Sequence, residues 1–408
     1  MDTSSLTPLT APPLPGPQAL HLGPSPSPEP LQQQIDTALR SFEDSFKRLT
    51  EGQDSPALVV STSGSTGSPK QTVLPASALA ASAQATQEAT GSSSAQWLLA
   101  LPLTYVAGAQ VLARSTLAGT QPVSTRSLET GSPFTAQDFI QASSRLTAPQ
   151  RLVSLVPTQL HKLLETPDPQ LRHDTIQTLA SFTGILLGGA PTPAALVTQA
   201  QELNLPVIRT YGSAETAGGC VYEGKPLPGV RIWIEGQDQG QPGRIWLGGP
   251  TIASGYALNP ARTAAHFFST PDGSHWYRTD DLGYLEPGNG LLRVQGRADD
   301  LIMTGGVKVS AGVVTSTLET HPDVSQALVC GVPDARWGQA VLAAVCLRAG
   351  ASPDQTRQEL AQLVAQKLGP AAVPKQIEFL EDFPLLASGK TDRQALVTLL
   401  AEAWARRK

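Results

Sequence analysis

The stretch RLVSLVPTQLHKLLE, residues 151–165, decides the fold class. Residues 152–156 are an apolar run of strand length. Pro157 and Thr158 then open a helix, because proline's fixed φ and missing N–H suit the first helical turn. The same order of strand, loop and helix repeats outward from this stretch. Upstream, AQWLLALPL (95–103) reads as a strand and AGAQVLARSTLAG (107–119) as a helix. Downstream, GILLGGAP (184–191) and PVIRTYGSAE (206–215) are strands running into loops, with a helical TPAALVTQAQELN (192–204) between them. Nearer the N-terminus, residues 57–60 make a buried strand and residues 61–70 a loop. Before them, LQQQIDTALRSFEDSFKRL (31–49) puts Ile35, Leu39, Phe42, Phe46 and Leu49 on one helical stripe. This alternation predicts an α/β domain with a largely parallel sheet.

From Gly229 the texture changes. GVRIWIEG (229–236), GRIWLGG (243–249), WYRTDDLGYLEP (276–287) and GLLRVQGRADD (290–300) are short strands with Gly-rich turns, which predicts a β-rich subdomain. After GRADDLIMTGGVKVS (296–310) come a helix over 313–320, strands SQALVCGVPD (325–334) and QAVLAAVCLRAG (339–350), a helix over 353–367 and a last strand, KQIEFLEDFP (375–384). That α+β segment is long enough to fold as its own unit. The expected division is a Pro/Ser-rich segment over 1–30, extended and poorly packed, a large domain over 31–298 and a small domain over 299–408.

The bulk numbers narrow the function. The 408 residues carry a net charge of −5, so no basic excess argues for nucleic acid or an anionic membrane surface. No apolar run is long enough to span a membrane, and the N-terminus lacks the basic and apolar regions of a signal peptide. Cys220, Cys330 and Cys346 lie far apart, with neither metal-ligand spacing nor a disulfide framework. They read as buried filler in a reduced, cytoplasmic compartment.

Five loops carry chemistry. The run Ser61-Thr62-Ser63-Gly64-Ser65-Thr66-Gly67-Ser68-Pro69-Lys70 could wrap phosphates with backbone N–H groups, hydroxyls and one ammonium. It is not a Walker A loop, because Pro69 stands where that pattern has glycine. Composition alone also allows a flexible linker. Tyr211-Gly212-Ser213-Ala214-Glu215-Thr216 follows a strand. Its aromatic could stack on a base and its acid suits Mg²⁺, though a capped surface turn reads equally from these residues. In Tyr277-Arg278-Thr279-Asp280-Asp281-Leu282-Gly283 a carboxylate could accept both ribose hydroxyls; tandem aspartates are also common in turns. Gly296-Arg297-Ala298-Asp299-Asp300, with Gly305 and Gly306 beyond, suits a hinge beside a sugar contact. Finally, Pro384-Leu385-Leu386-Ala387-Ser388-Gly389-Lys390-Thr391 puts a lysine on a loop able to reach a distant site.

Together, in this order, the five resemble the signatures of the adenylate-forming superfamily of acyl-CoA synthetases, peptide-synthetase adenylation domains and luciferases. Thr62 to Lys70 is similar to its T-S-G-T-T-G-x-P-K loop, Tyr211 to Glu215 to Y-G-x-T-E, Thr279 to Asp281 to T-G-D, Gly296 to Asp299 to G-R-x-D, and Pro384 to Lys390 to P-x-x-x-x-G-K. The resemblance covers roughly residues 55–395. Within the superfamily, SLVPTQL (154–160), ILLGGAP (185–191) and LPLTYVAGAQVLARS (101–115) are most similar to the o-succinylbenzoate–CoA ligases of menaquinone synthesis. The early phosphate loop implies an abridged N-terminal subdomain.

The resemblance implies an ATP-dependent acid–CoA ligase with Mg²⁺ and coenzyme A, acting on small molecules through an acyl-adenylate. Lys390 would be the catalytic lysine. Thr62, Ser63, Gly64, Ser65, Thr66, Gly67 and Lys70 would hold the phosphates and Glu215 the metal. Gly189, Ala190, Pro191, Tyr211 and Gly212 would flank adenine, with Asp281 and Arg297 at the ribose. Tyr105, Gly108, Gln110 and Ser154 would line the acyl pocket. Arg114 could meet a second carboxylate, although an arginine in VLARS also reads as a solvated helix residue. The small domain would be mobile, pivoting at Asp299 and bringing Gly305 and Gly306 into the CoA step. Other readings are a ligase for a different aryl or fatty acid, or a non-catalytic nucleotide- or acid-binding member. A homodimer is compatible with the sequence. The chain departs from the pattern at Ala214, which removes a hydroxyl beside the metal, and at Asp280, which adds charge near the ribose. Ala311 and Val313 stand where relatives often have proline and glutamate.

Overall fold

A computed structural model describes residues 5–16, 18–22, 29–62, 70–236, 242–348, 350–386 and 389–407. The chain forms two compact units. The first comprises Met1–Ala190, Leu203–Trp233 and Trp246–Thr279, and the second Pro191–Glu202, Ile234–Ile245 and Asp280–Lys408. The long C-terminal piece of the second unit thus begins at Asp280, ahead of Asp299.

The first unit is built on a seven-stranded sheet. Its strands lie in the order Lys225–Pro226, Gly218–Tyr222, Val207–Ser213, Gly184–Leu187, Arg151–Leu155, Gln96–Leu99, Val123–Ser124. The five from Val207–Ser213 onward run parallel, and the other two complete an antiparallel meander. After Gln96–Leu99 the chain crosses through helix Val106–Ala118 to the edge strand. It then returns past Gln96–Leu99 to Arg151–Leu155 and winds the opposite way through helices Pro157–Leu164 and Pro169–Ala180. Right-handed crossovers therefore put the two helix groups on opposite faces and leave a topological switch point between Gln96–Leu99 and Arg151–Leu155. Helix Ala76–Thr90 packs on Val106–Ala118, and its buried side chains are mostly small, Ala78, Ala80, Ser82 and Ala83 among them.

A four-stranded sheet orders Gly255–Tyr256, Lys70–Pro75, Pro56–Thr62 and Leu20–Leu22. Parts of the N-terminal segment nonetheless pair and pack with the rest of the first unit. Leu20–Leu22 adds in parallel to Leu58–Val60, Thr7–Pro8 pairs with Phe268–Ser269, and Ala19 is buried with Val59, Val73 and Ala257. Composition hid this because strand edges recruit backbone groups, which every residue type carries.

In the second unit a five-stranded sheet orders Val307–Ser310, Leu301–Thr304, Gly338–Leu347 and Val324–Asp334, with Gln376–Leu380 on the free side of Gly338–Leu347. Side chains of the two long strands alternate cleanly. Val329, Val341, Ala343 and Val345 join one core with helices Ala311–Leu318 and Pro353–Leu368. Leu328, Cys330, Leu342 and Cys346 join another with Leu396 and Leu400. Burial on both faces explains why these strands read as unbroken apolar runs. The second core requires helix Arg393–Arg406, which the sequence reading did not foresee. All three cysteines are free and buried, and burial pushes the Cys220 and Cys346 thiols up to about 12 and that of Cys330 to about 11.

Glu319 follows helix Ala311–Leu318, with Oε1 accepting the Ala327 N–H at 3.3 Å. Burial raises its carboxyl to about 7, against 4.5 ordinarily. An acid whose pKa is higher folded than unfolded binds its proton more tightly when folded. Stability is then lost as pH rises from about 4.5 to 7. Glu319→Gln should leave the Tm at pH 5 within a degree or two of the parent and raise stability at pH 8 by up to about 3 kcal/mol. Thermal melts at the two pH values measure it. Equal shifts at both would show that Glu319 titrates normally.

Candidate active site

In open α/β sheets ligands bind outside the carboxyl ends of the strands, at the switch point. Two motifs of the first unit flank that point. LPLTY (101–105) follows Gln96–Leu99, and Val156-Pro157 follows Arg151–Leu155. Gln159 joins them, donating to the Ala100 carbonyl at 2.9 Å while accepting the Val156 N–H at 3.1 Å. Ser154 is buried on the neighbouring strand end, and Tyr105 precedes helix Val106–Ala118. Gly108 is required by packing, since a Cβ there would run into the Pro102 and Leu101 carbonyl oxygens. Tyr105, Gly108 and Ser154 thus lie in or beside the segments flanking the switch point.

Gln110 has a defined structural task. Its Nε2 donates to the Ala217 carbonyl at 2.6 Å, and Ser82 donates to the same oxygen at 3.0 Å. Ala217 is held in the left-handed region at φ 52, so these donors support the strained turn that presents Glu215. Arg114 is not solvated. It is buried with its guanidinium 5.0 Å from the Trp97 ring centre, and burial lowers its pKa, with Tyr222 beside it opposing that shift.

Strand Gly184–Leu187 ends where Leu187 pairs with Arg209, and strand Val207–Ser213 runs on beyond it, carrying Tyr211 past the segment that leads to Gly189 and Ala190. A Cβ on Gly188 would strike Thr210 Oγ1, and one on Gly212 would strike the Gly218 carbonyl oxygen, so both glycines allow close backbone approach. Tyr211 lies within the strand rather than in the loop after it.

Glu215 sits in the 3₁₀ turn Ala214–Thr216, buried, with its carbonyl accepting the Ala253 N–H at 2.9 Å. Its Oε1 accepts the Tyr256 hydroxyl at 2.8 Å, and Oε2 has no hydrogen-bond partner among the described residues. A buried carboxylate with one oxygen to spare is the hard ligand that Mg²⁺ takes. Thr216 Oγ1 accepts the Ser213 N–H at 2.9 Å and donates to the Gly218 carbonyl at 2.7 Å, closing the turn without a hydroxyl at 214. Lys70 opens the strand leaving the serine-rich loop and pairs with Thr62 across it. Its ammonium lies 5.7 Å from the Tyr256 ring centre. Ser63, Gly64, Ser65, Thr66 and Gly67 lie outside the described residues. Tyr256, between the two motifs, was missed; its only sequence signal is an aromatic after Gly255, whose φ is 135.

The second unit carries the remaining candidates, including Pro191. Asp281 pairs with Arg297 across the ladder of strands His275–Leu285 and Leu292–Arg297. The Arg297 guanidinium grips Asp299 with bonds of 2.8 and 2.9 Å and reaches Asp280 at 3.5 Å. The Asp299 bond raises the Arg297 pKa, and Arg297 holds the Asp299 carboxyl below its usual range against the opposing effect of burial. Asp280 also meets Arg244 at 3.5 Å, so its extra charge is balanced by two arginines. Asp300 beside the hinge candidate binds Arg393 at 2.8 Å. Gly305 and Gly306 form the turn between Leu301–Thr304 and Val307–Ser310 with φ of 58 and 80, which suits two glycines. Lys390 closes a tight loop. Its carbonyl accepts the Leu386 N–H at 2.8 Å, Leu385 bridges Thr391, and burial lowers the ammonium's pKa. Ala311 begins helix Ala311–Leu318 and is buried, so its position is structural.

Comparison with known proteins defines the class. The AMP-binding enzyme family matches residues 17–257, and the AMP-binding enzyme C-terminal domain matches 314–390. The chain belongs to the AMP-binding enzyme family. A Mycobacterium tuberculosis protein named probable 2-succinylbenzoate–CoA ligase is 41% identical over 349 residues, 85% of each chain. Among solved structures, the o-succinylbenzoate CoA synthetase MenE of Bacillus subtilis in complex with the acyl-adenylate intermediate OSB-AMP is 30% identical. It matches with a TM-score of 0.67 over 84% of this chain and 69% of that one. The same enzyme with ATP and magnesium ion matches with the same identity and TM-score over 84% and 70%. Among the described residues no helix is long and apolar enough to cross a membrane.

Proposed function

We propose that the protein is an ATP-dependent 2-succinylbenzoate–CoA ligase. The observation that carries the class is the buried Glu215 turn facing the strand of Lys70, at the carboxyl end of a parallel sheet. The acid is supported by the relatives' names. In the first half-reaction a substrate carboxylate oxygen attacks the α-phosphorus of ATP, the bond from that phosphorus to the β-phosphate bridge breaks, and pyrophosphate leaves. In the second, the CoA sulfur attacks the acyl carbon, its proton is released, and AMP departs. Both steps depend on positioning and charge neutralisation.

Lys390 would bridge the substrate carboxylate and the α-phosphate. Lys70, with Thr62 and the loop from Ser63 to Gly67, would hold the outer phosphates. Tyr211, Gly212 and the Gly189 to Pro191 backbone would flank adenine, with Asp281 and Arg297 at the ribose. Glu215 would hold Mg²⁺, which would supply charge neutralisation at the phosphates. Tyr105, Gly108, Gln110 and Ser154 would line the acyl pocket, Gln110 while also bonded to the Ala217 carbonyl. Asp299 would be the hinge of a mobile small domain over 299–408, and Gly305 with Gly306 would serve the CoA step. Incubation with ATP, CoA and 2-succinylbenzoate should yield thioester, AMP and pyrophosphate in equal amounts. Release of ADP, or no thioester, would overturn the proposal.

A further inference from the structure

Tyr256 belongs to neither recognised motif yet touches both. Its strand, Gly255–Tyr256, pairs with the one that leaves the serine-rich loop, with Gly255 opposite Val73 and Tyr256 opposite Thr72. The Ala257 N–H adds a bond to the Gln71 carbonyl at 2.9 Å. The Tyr256 backbone is therefore fixed to the segment carrying Lys70, and its ring lies under the Lys70 ammonium. Its hydroxyl leaves that sheet and donates to Glu215 Oε1 at 2.8 Å, on the hairpin tip of the seven-stranded sheet. The side chain is among the largest fully buried ones, packed edge-on against Phe267 at 5.1 Å.

We infer that Tyr256 is a positioning residue that fixes Glu215 for the metal and sets its distance from Lys70. This rests on the reading of Glu215 as the Mg²⁺ ligand. A carboxylate with one oxygen held by a rigid phenol can turn only its other oxygen to a cation, in one orientation. Partners that orient a ligand in this way typically contribute 10- to 100-fold to metal affinity. Because the phenol's backbone moves with the strand of Lys70, the carboxylate and the lysine are placed as a pair.

The test uses the full chain with the α,β-methylene analogue of ATP, which cannot be adenylated, and Mn²⁺ titrated by electron paramagnetic resonance. Tyr256→Phe keeps the ring packing and should weaken Mn²⁺ binding to the nucleotide complex by about tenfold or more, leaving metal-free binding of the analogue within about twofold. Glu215→Gln should weaken Mn²⁺ at least as much, and the double variant should be no worse than Glu215→Gln. If Glu215→Gln weakens Mn²⁺ and Tyr256→Phe does not, the inference about Tyr256 fails alone. If neither variant changes Mn²⁺ affinity, the reading of Glu215 fails and the inference falls with it. Loss of metal-free analogue binding in Tyr256→Phe would mark the residue as a general structural support and overturn the positioning role.

Discussion

Replacing Lys390 by alanine should slow acyl-adenylate formation by about a thousandfold, the scale of losing a preorganised electrostatic contact in a transition state. The Lys390 backbone is anchored by the Leu386–Lys390 bond and the neighbouring Leu385–Thr391 bridge. In the proposed mechanism the ammonium neutralises charge between two anions, the carboxylate and the α-phosphate, that otherwise repel. The thioester step presents no such pair. Transfer to CoA from supplied acyl-adenylate should therefore fall less than about tenfold in the same variant, since only an interaction made in the adenylation transition state has been removed. Pyrophosphate release measures the first half-reaction, and thioester formed from synthetic acyl-adenylate measures the second. Equal losses in both would break the division of labour assigned to Lys390.

Removing the ring carboxylate from the substrate should cost roughly a thousandfold in kcat/KM, because a site built for a polar group is left with unpaired partners when that group is missing. A second charge cannot enter a dry pocket alone, so the far wall must supply a cation, donors or water. Arg114 is a buried cation in helix Val106–Ala118, with no carboxylate ion-pair partner among the described residues and its Nε unpaired. Steady-state kinetics with 2-succinylbenzoate and 4-oxo-4-phenylbutanoate measures the ratio. Arg114→Gln should shrink it if this cation meets the ring acid. Equal turnover of the two acids, or of benzoate, would remove the menaquinone assignment and leave an acid–CoA ligase of other specificity.

Much of this was legible because it is written in local order. Strand, loop and helix alternate around Arg151–Leu155, and the five motif loops follow one another in sequence. At Gly108 and Gly212 the structure adds a reason for glycine that the motifs did not give, since a Cβ would meet backbone oxygen. Less legible was anything whose partner is distant. Helix Arg393–Arg406 has a weak apolar stripe, and only the uncovered face of a two-sided sheet shows why it must exist. The N-terminal prolines and serines read as loose chain because strand addition depends on backbone groups that composition does not register.

The sequence by itself determined the α/β class, the two-part organisation and the identity of the chemical groups, since periodicity and residue type are local properties. Tertiary structure alone decided what those groups face. Gln110 turns to the Ala217 carbonyl, 107 positions away, and the extra charge of Asp280 is balanced by Arg244 and Arg297. Tyr256, with no motif of its own, reaches Glu215 from 41 positions away. The reason is physical. A buried polar atom must find a partner wherever the packed elements bring one, and that choice is made by sheet order and helix packing rather than by neighbours in the chain.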